Sequence, residues 1–133
     1  MTRFLLDTSI CIEVIRKRGG KVLERIRQCA IGDAGISAIT LAELGHGVAK
    51  SVQPERNRLA LNLFCAPLEI LPFDDAAAGV YGHIRADLER RGQCIGPMDL
   101  LIAAHALSAN VTLATNNERE FRRVEGLRVE NWI

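Results

Sequence analysis

Apolar residues occur along the chain in short runs, and these runs alternate with longer stretches in which apolar residues recur every three or four positions. Short runs are typical of buried strands, and the wider spacing is typical of helices that bury one face. The strands are predicted at residues 3–6, 34–37, 68–71, 111–114 and 127–129. Strands that alternate with helices pair in parallel through right-handed crossovers. The pattern therefore predicts one α/β domain over residues 1–133, a three-layer α/β/α sandwich around a mainly parallel sheet.

Capping residues predict where the helices begin and end. Asp7-Thr8-Ser9 form a cluster of N-capping residues after the first strand, and the pair Gly19-Gly20 is predicted to end the first helix. Thr40 is predicted as the N-cap of a later helix. The segment Met98 to Leu107 is apolar nearly all round, which predicts a buried helix. Other helices are expected to begin near Val22, Pro54, Asp74 and Arg119.

The composition is that of a soluble globular protein, with 48% apolar and 25% charged residues. No apolar run approaches the roughly 20 residues that a membrane-spanning helix needs. Phe4-Leu5-Leu6 is stopped by Asp7, so it is too short for the apolar part of a signal peptide. We expect a cytoplasmic protein without a membrane partner. The four cysteines, at 11, 29, 65 and 94, lack zinc-site or redox spacing.

Positive charge is balanced overall but concentrated locally. The chain has 17 Lys and Arg against 16 Asp and Glu, a net charge of +1, which excludes general binding to polyanions. All but three of the positive residues are arginines, whose planar fork of donors suits phosphate and carboxylate groups. Residues 16–27 carry six positive side chains against Glu24 alone. This stretch is either a solvated helix face or a surface for phosphates or an acidic partner.

Three carboxylates stand where the local sequence explains them incompletely. Asp7 directly follows the first predicted strand, and Asp99 lies in the first turn of the apolar helix. Glu43 interrupts the run Ile39-Thr40-Leu41-Ala42-Glu43-Leu44. Each has a structural alternative: helix capping for Asp7, the helix dipole for Asp99, and a capping box with Thr40 for Glu43.

If the three carboxylates converge, they need a cation. Two carboxylates about 5 Å apart repel by roughly 3 kcal/mol at an effective dielectric of 20. Ligation by carboxylate oxygens and water is what Mg²⁺ and Mn²⁺ prefer, and such an ion can activate water towards a phosphodiester. Sequence spacing alone does not establish that Asp7, Glu43 and Asp99 meet.

Four blocks of the sequence together resemble the PIN-domain ribonucleases and, among them, the VapC toxins of bacterial type II toxin–antitoxin modules. The resemblance covers the whole chain, in the right order. It rests on Phe4-Leu5-Leu6-Asp7-Thr8-Ser9, on Ser37-Ala38-Ile39-Thr40-Leu41-Ala42-Glu43-Leu44-Gly45-His46-Gly47, on Gly96-Pro97-Met98-Asp99-Leu100-Leu101-Ile102-Ala103-Ala104-His105-Ala106, and on Thr115-Asn116-Asn117-Glu118-Arg119-Glu120-Phe121.

The resemblance implies an endoribonuclease that depends on Mg²⁺, or alternatively Mn²⁺. By position, Asp7 and Asp99 match the family's principal metal ligands, and Glu43 matches the acid that supports the metal or its water. The family commonly has a fourth acid after the fourth strand. Glu120 is assigned to that place, and Asn117 is assigned as a polar neighbour behind it. Thr8 and Ser9 match hydroxyl positions that orient the first Asp or a metal-bound water.

The resemblance also implies the reaction and the partners. Water oriented by Glu43 or Glu120 would attack the phosphorus in line, leaving a 5′-phosphate and a 3′-hydroxyl. The substrate would be structured RNA, in this family often tRNA, gripped mainly by Arg85, Arg90, Arg91, Arg119 or Arg122. The protein would form a homodimer and bind a VapB antitoxin, whose disordered tail would fold over the active site. DNA would be contacted only indirectly, through the antitoxin.

Other functions are weaker or remain open. A haloacid-dehalogenase type of phosphatase needs a second Asp where this chain has Ser9, and a histidine-based ribonuclease needs two imidazoles in one site. A PIN fold that binds RNA or protein without cleaving it remains possible because Asn117 replaces an acid. Gly45 and Gly47 inside a helix predict the close approach of another backbone, from the chain's own sheet, from an antitoxin or from a second subunit.

Overall fold

The computed structural model describes residues 1–17 and 20–133 and contains a five-stranded sheet in which every neighbouring pair of strands is parallel. The strand order is β3-β2-β1-β4-β5, so the first strand is central. The strands are β1 Phe4–Leu6, β2 Ala34–Ser37, β3 Glu69–Leu71, β4 Thr112–Thr115 and β5 Val129–Asn131. The α/β sandwich is therefore confirmed, and the sheet is wholly parallel in the described part of the chain.

Seven helices occupy the connections between these strands within the described residues. They are α1 Thr8–Lys17, α2 Lys21–Gln28, α3 Ala38–Ala49, α4 Pro54–Cys65, α5 Asp75–Arg91, α6 Pro97–Ala109 and α7 Glu118–Phe121. No helix in residues 1–17 and 20–133 is both long and apolar enough to cross a bilayer.

Each face of the sheet is covered by its own apolar core. Because side chains alternate along a strand, Leu5 packs against α5 and α6 whereas the next residue, Leu6, packs against α1 to α4. The helix α6 is buried along most of its length, as its apolar sequence predicts. Trp132, which follows β5, closes the second core and makes an edge-on contact with Phe4.

Several element boundaries differ from the sequence prediction. Ser37, not Thr40, caps α3, because the Ser37 side chain accepts a hydrogen bond from the Ile39 amide. The last strand begins at Val129 instead of Leu127. Gly20 immediately precedes α2, but Gly19, the other half of the predicted break, lies outside the described residues.

The glycine at position 35 is required by the spacing of β2 and β3. A Cβ atom there would lie 2.8 Å from Cδ1 of Leu71 and 2.9 Å from the carbonyl oxygen of Glu69. The second contact is with backbone, so β3 could not approach β2 this closely beside a larger residue.

Candidate active site

The predicted site residues gather at the edge of the sheet where its parallel strands end. Asp7 follows β1, α3 begins directly after β2, and Asn117 follows β4. Asp99 reaches the same edge from the first turn of α6. Crevices outside the carboxyl ends of such strands are the usual binding sites of parallel sheets.

Asp7 is buried, only 2% exposed, and is held by two hydroxyl groups. Its Oδ2 atom accepts hydrogen bonds from Ser9 Oγ and from Thr115 Oγ1, each 2.7 Å long. Within the described residues the other oxygen, Oδ1, receives no hydrogen bond, and no fully buried side-chain oxygen there lacks a partner. Oδ1 therefore faces accessible space, where it can accept an external ligand.

Glu43 is tied to the helix that follows Asp7. Thr8 Oγ1 donates a 2.7 Å hydrogen bond to Glu43 Oε1 and lies 3.3 Å from Thr40 Oγ1. The capping-box interpretation of Glu43 is wrong, since the cap of α3 is Ser37 and Thr40 is already inside the helix. Glu43 instead lies half-buried beside Thr8, on the side of α3 that faces α1.

Asp99 carries the clearest electrostatic sign of convergence. Burial raises the pKa of Asp99 from 3.8 to about 7, with further contributions from the charges of Asp7, Glu120 and Glu43 and from a hydrogen bond to Glu120. The four carboxylates that the sequence assigned to the site therefore influence one another across the fold. Asn117 Nδ2 lies 3.4 Å from Glu120 Oε2, so Asn117 holds the fourth acid as a polar neighbour.

The carboxylate oxygens of these side chains are ligands that suit a hard divalent cation, although the side chains are not arranged around one common point. Among residues 1–17 and 20–133, no three His, Cys, Asp or Glu side chains are grouped closely enough to ligate an ion as they stand. Oδ1 of Asp7, however, accepts no hydrogen bond within the described residues, and Asp99 is partly buried beside the charges of Asp7, Glu120 and Glu43. A cation among these oxygens would offset the burial and the repulsion that together raise the Asp99 pKa, and oxygen ligands are what Mg²⁺ and Mn²⁺ prefer.

Two hydroxyl residues of the site were not predicted as such. Thr115, fully buried at the end of β4, donates to Asp7 and also accepts a 2.9 Å hydrogen bond from the Asn117 amide. Thr40, fully buried in α3, lies beside Thr8. The role of Thr115 could have been inferred only from its place at the end of β4, the strand beside β1. That inference requires knowledge of the strand order.

A long apolar groove adjoins the carboxylates. Its first part, a cavity of about 730 Å³, is lined by Thr8, Glu43 and the half-exposed Met98, and also by Arg16 and Lys50. Ile15 also lines a second cavity of about 590 Å³ between α1, α2 and α4. The second cavity is bordered by Leu59 and Leu63, which are 61% and 67% exposed.

Packing inside the described part of the chain does not explain the two glycines of α3. A Cβ atom added at Gly45 or at Gly47 would meet nothing within 4 Å there, and Gly47 lines the first cavity. The chain's own sheet is therefore not the close neighbour that these glycines predict.

Several of the arginines proposed to grip RNA are already engaged in ion pairs. Arg85 pairs with Glu89, Arg91 with Asp87, and Arg122 with Glu118, each one helical turn apart. From the basic stretch, Lys17 pairs with Glu13, and Arg25 pairs with Glu130 and covers the ring of Trp132. These ion pairs occupy two of the basic side chains of residues 16–27.

The remaining ionisable groups support no rival chemistry. His46, His83 and His105 lie on the three helices α3, α5 and α6, as predicted. All four cysteines are free, and burial raises the pKa of the Cys11 thiol well above its usual value. A thiol held protonated in this way is a poor nucleophile and a poor metal ligand.

The chain is similar to known proteins along nearly its whole length. Residues 4–127 match the model of the PIN domain. The chain is 46% identical over 132 residues to the tRNA(fMet)-specific endonuclease VapC of Shigella flexneri, covering 99% of each. It is 44% identical over 133 residues to ribonuclease VapC2 of Haemophilus influenzae strain Rd, covering 100% of each. A chain in the crystal structure of DNA-bound VapBC from Salmonella typhimurium superposes with a TM-score of 0.96 at 43% identity, covering 100% of both chains.

Proposed function

The chain belongs to the PIN-domain family and, within it, to the VapC ribonucleases, and on that premise we propose that it is the toxin of a type II toxin–antitoxin module that cleaves RNA with a divalent cation. The observation that carries this proposal is the cluster of Asp7, Glu43, Asp99 and Glu120, in which burial first and the neighbouring negative charges second raise the pKa of Asp99 to about 7. A partly buried cluster of this kind is costly unless a cation binds among its oxygens.

Asp7 and Asp99 are the proposed principal ligands of Mg²⁺ or Mn²⁺, and Glu43 supports them. When bound, such an ion polarises the phosphodiester and lowers the pKa of a coordinated water. Ser9 and Thr115 hold Asp7 through Oδ2, which leaves Oδ1 for ligation. Thr8 fixes Glu43 through Oε1, so the second oxygen of Glu43 is the one that orients the attacking water.

Glu120 is the proposed fourth acid, steadied by Asn117. The oxygen of water attacks the phosphorus, the bond from phosphorus to the 3′ oxygen breaks, and the 3′ oxygen takes up a proton from solvent water. Glu43 or Glu120 receives the proton that the attacking water loses. The products are a 5′-phosphate and a 3′-hydroxyl because the bond to the 3′ oxygen is the one that breaks.

The proposed substrate is a structured RNA, and tRNA is favoured because the Shigella flexneri relative is named for the initiator tRNA(fMet). Such RNAs are recognised by shape and by exposed bases in loops. Arg90 and Arg119 are exposed and make no ion pair within the described residues, so they are the better candidates for phosphate contacts among the five arginines proposed above. We place the reaction in the cytoplasm, where tRNA is found.

The apolar groove is the proposed seat of a VapB antitoxin. An amphipathic helix that inserts every third or fourth side chain is the usual occupant of such a groove. Thr8 and Glu43 line the groove, so a basic antitoxin side chain beside them would reach the carboxylates and compete with the metal. We propose that the toxin forms a homodimer and that DNA, which is bound in the Salmonella typhimurium complex, is contacted through the antitoxin.

The test is cleavage of total RNA by the antitoxin-free protein, with Mg²⁺, with Mn²⁺ and with EDTA. Asp7→Ala and Asp99→Ala should abolish cleavage, whereas Asp75→Asn, the matching change in the first turn of α5, should not. Cleavage that survives EDTA and both alanine variants would contradict the carboxylate mechanism. No cleavage of any RNA by the folded wild-type protein would favour the alternative that remained open, an RNA- or protein-binding module without activity.

A further inference from the structure

A buried polar pair outside the carboxylate cluster joins the two helices that carry opposite sides of the site. Ser37, at the start of α3, is fully buried, and His105, on α6, is 3% exposed. Ser37 Oγ lies 2.8 Å from His105 Nδ1. Buried polar groups are kept where hydrogen bonds satisfy them, so the pair is a specific link between the helices and not a chance contact.

Hydrogen-bond counting fixes the direction of this link. Ser37 Oγ already accepts a 3.0 Å hydrogen bond from the Ile39 amide, and in the described part of the chain its only other partner is His105. The Ser37 hydroxyl proton therefore has one place to go, which is Nδ1 of a neutral histidine protonated on Nε2. Burial also lowers the pKa of His105, although the charge of Asp74 opposes this, so the neutral form is favoured.

Each member of the pair is separated by six residues from an acidic residue on the same helix. Glu43 is six residues after Ser37 on α3, and Asp99 is six residues before His105 on α6, about 9 Å along each helix axis at 1.5 Å per residue. One end of the contact between the helices is held by the Ser37–His105 hydrogen bond. Towards the other end, Glu43 on α3 and Met98, the neighbour of Asp99 on α6, line the same cavity.

We propose that His105 is a positioning residue for the metal site, which acts through Ser37 to hold α3 against α6 so that Glu43 and Asp99 stay within reach of one cation. Without the link, α3 is free to shift relative to α6 under the repulsion of the carboxylates. The ring of His105 is itself fixed edge-on to Phe73, with ring centres 5.6 Å apart, so its Nδ1 atom is held at one position. This inference rests on the proposed function, since it concerns the same cation.

The test is Mn²⁺ binding by titration calorimetry to the RNA-free protein, which does not depend on turnover. His105→Phe keeps an aromatic ring but loses the acceptor, and we expect it to bind Mn²⁺ about tenfold more weakly, as is typical when a group behind a metal ligand is lost. His105→Asn places an acceptor near the position of Nδ1 and should bind within about threefold of the wild type. Ser37→Ala should weaken binding at least as much as His105→Phe, and the double variant should be no weaker than Ser37→Ala alone.

A control separates positioning from general stability. Leu88→Ala opens a cavity where α5 packs in the same core as α6, and no side-chain hydrogen bond within the described residues joins α5 to α3. The free energy of unfolding of this variant is measured beside that of His105→Phe. Leu88→Ala should keep the wild-type Mn²⁺ affinity. Equal weakening by Leu88→Ala, or unchanged affinity in His105→Phe and Ser37→Ala, would overturn the positioning role while leaving the carboxylate site intact. Absence of Mn²⁺ binding by the wild-type protein would overturn the proposed function as well.

Discussion

Replacing Asp99 with asparagine should stabilise the metal-free protein while it abolishes cleavage. The pKa of Asp99 is raised from 3.8 to about 7 because the side chain is partly buried among Asp7, Glu120 and Glu43. A carboxyl whose pKa is higher in the folded than in the unfolded state binds its proton more tightly when folded. Its ionisation therefore penalises the folded state, fully above pH 7 and progressively less as the pH falls towards 3.8.

The magnitude follows from the size of that rise. The difference between 3.8 and about 7 corresponds to about 4 kcal/mol at pH 8, using 1.36 kcal/mol for each pKa unit. Asp99 is only partly buried, so solvent screening reduces this to about half. Replacing the carboxylate with asparagine also removes its favourable interaction with the start of α6. This loss lowers the stability of the variant by about 0.3–1 kcal/mol. A net stabilisation of about 1–2 kcal/mol at pH 8 remains.

The assay is urea unfolding of Asp99→Asn and wild type in EDTA at pH 8 and at pH 5. The gain should shrink to less than half at pH 5, since Asp99 is then mostly protonated in the folded wild type. Asp75→Asn, an exposed first-turn aspartate of α5, is the control and should be neutral or slightly destabilising at both pH values. Saturating Mg²⁺ should reverse the order by stabilising the wild type alone. A variant no more stable than wild type at pH 8, or a gain independent of pH, would refute the electrostatic account.

Three further predictions concern the hydroxyl network, the pH dependence of metal binding and the packing of the sheet. Thr115→Val removes the buried hydrogen bond to Asp7 while it keeps nearly the same side-chain shape. The Mg²⁺ concentration for half-maximal cleavage should therefore rise about tenfold or more. Thr112→Val, on the same strand, is the control and should leave that concentration unchanged. The affinity for Mn²⁺, measured by calorimetry, should fall up to about tenfold for each pH unit below 7 and level off above pH 7. The reason is that Asp99 must lose its proton before it can bind the ion. An affinity that does not change with pH would contradict this prediction. Gly35→Ala should lower the free energy of unfolding in urea by about 2 kcal/mol through its clash with β3, whereas Gly82→Ala, in an open part of α5, should not lower it.

The sequence was informative where function depends on local order and less so where it depends on contacts between distant segments. The fold class and the strand positions within two residues were predicted from the pattern of the residues. The approach of Asp7, Glu43 and Asp99 was expected only from the family resemblance, because sequence spacing alone does not establish it. The hydrogen bond from Thr115 to Asp7 joins residues 108 positions apart and exists only because β4 pairs with β1. No periodicity or spacing encodes that pairing.

The cap of α3 shows a second kind of limit. Ser37 and Thr40 are both good N-capping residues, and the sequence around Thr40 offered a capping box with Glu43. The structure starts the helix three residues earlier, because Ser37 ends β2 and is fully buried against His105. Local propensity was equal for the two residues, so tertiary contact decided which of them became the cap.

The position of the site follows from the strand order more than from any single motif. The strands β2 and β3 lie on one side of β1, and β4 and β5 lie on the other side. The connection that follows β1 and the connection that follows β4 therefore run in opposite directions from the carboxyl ends of these two strands. A crevice opens at such a point because no crossover covers it. Asp7 and Thr115 stand at the two strand ends that border it, and they are hydrogen-bonded to each other. Asp99 comes from outside the sheet, on α6, and the hydrogen bond between Ser37 and His105 joins that helix to the start of α3.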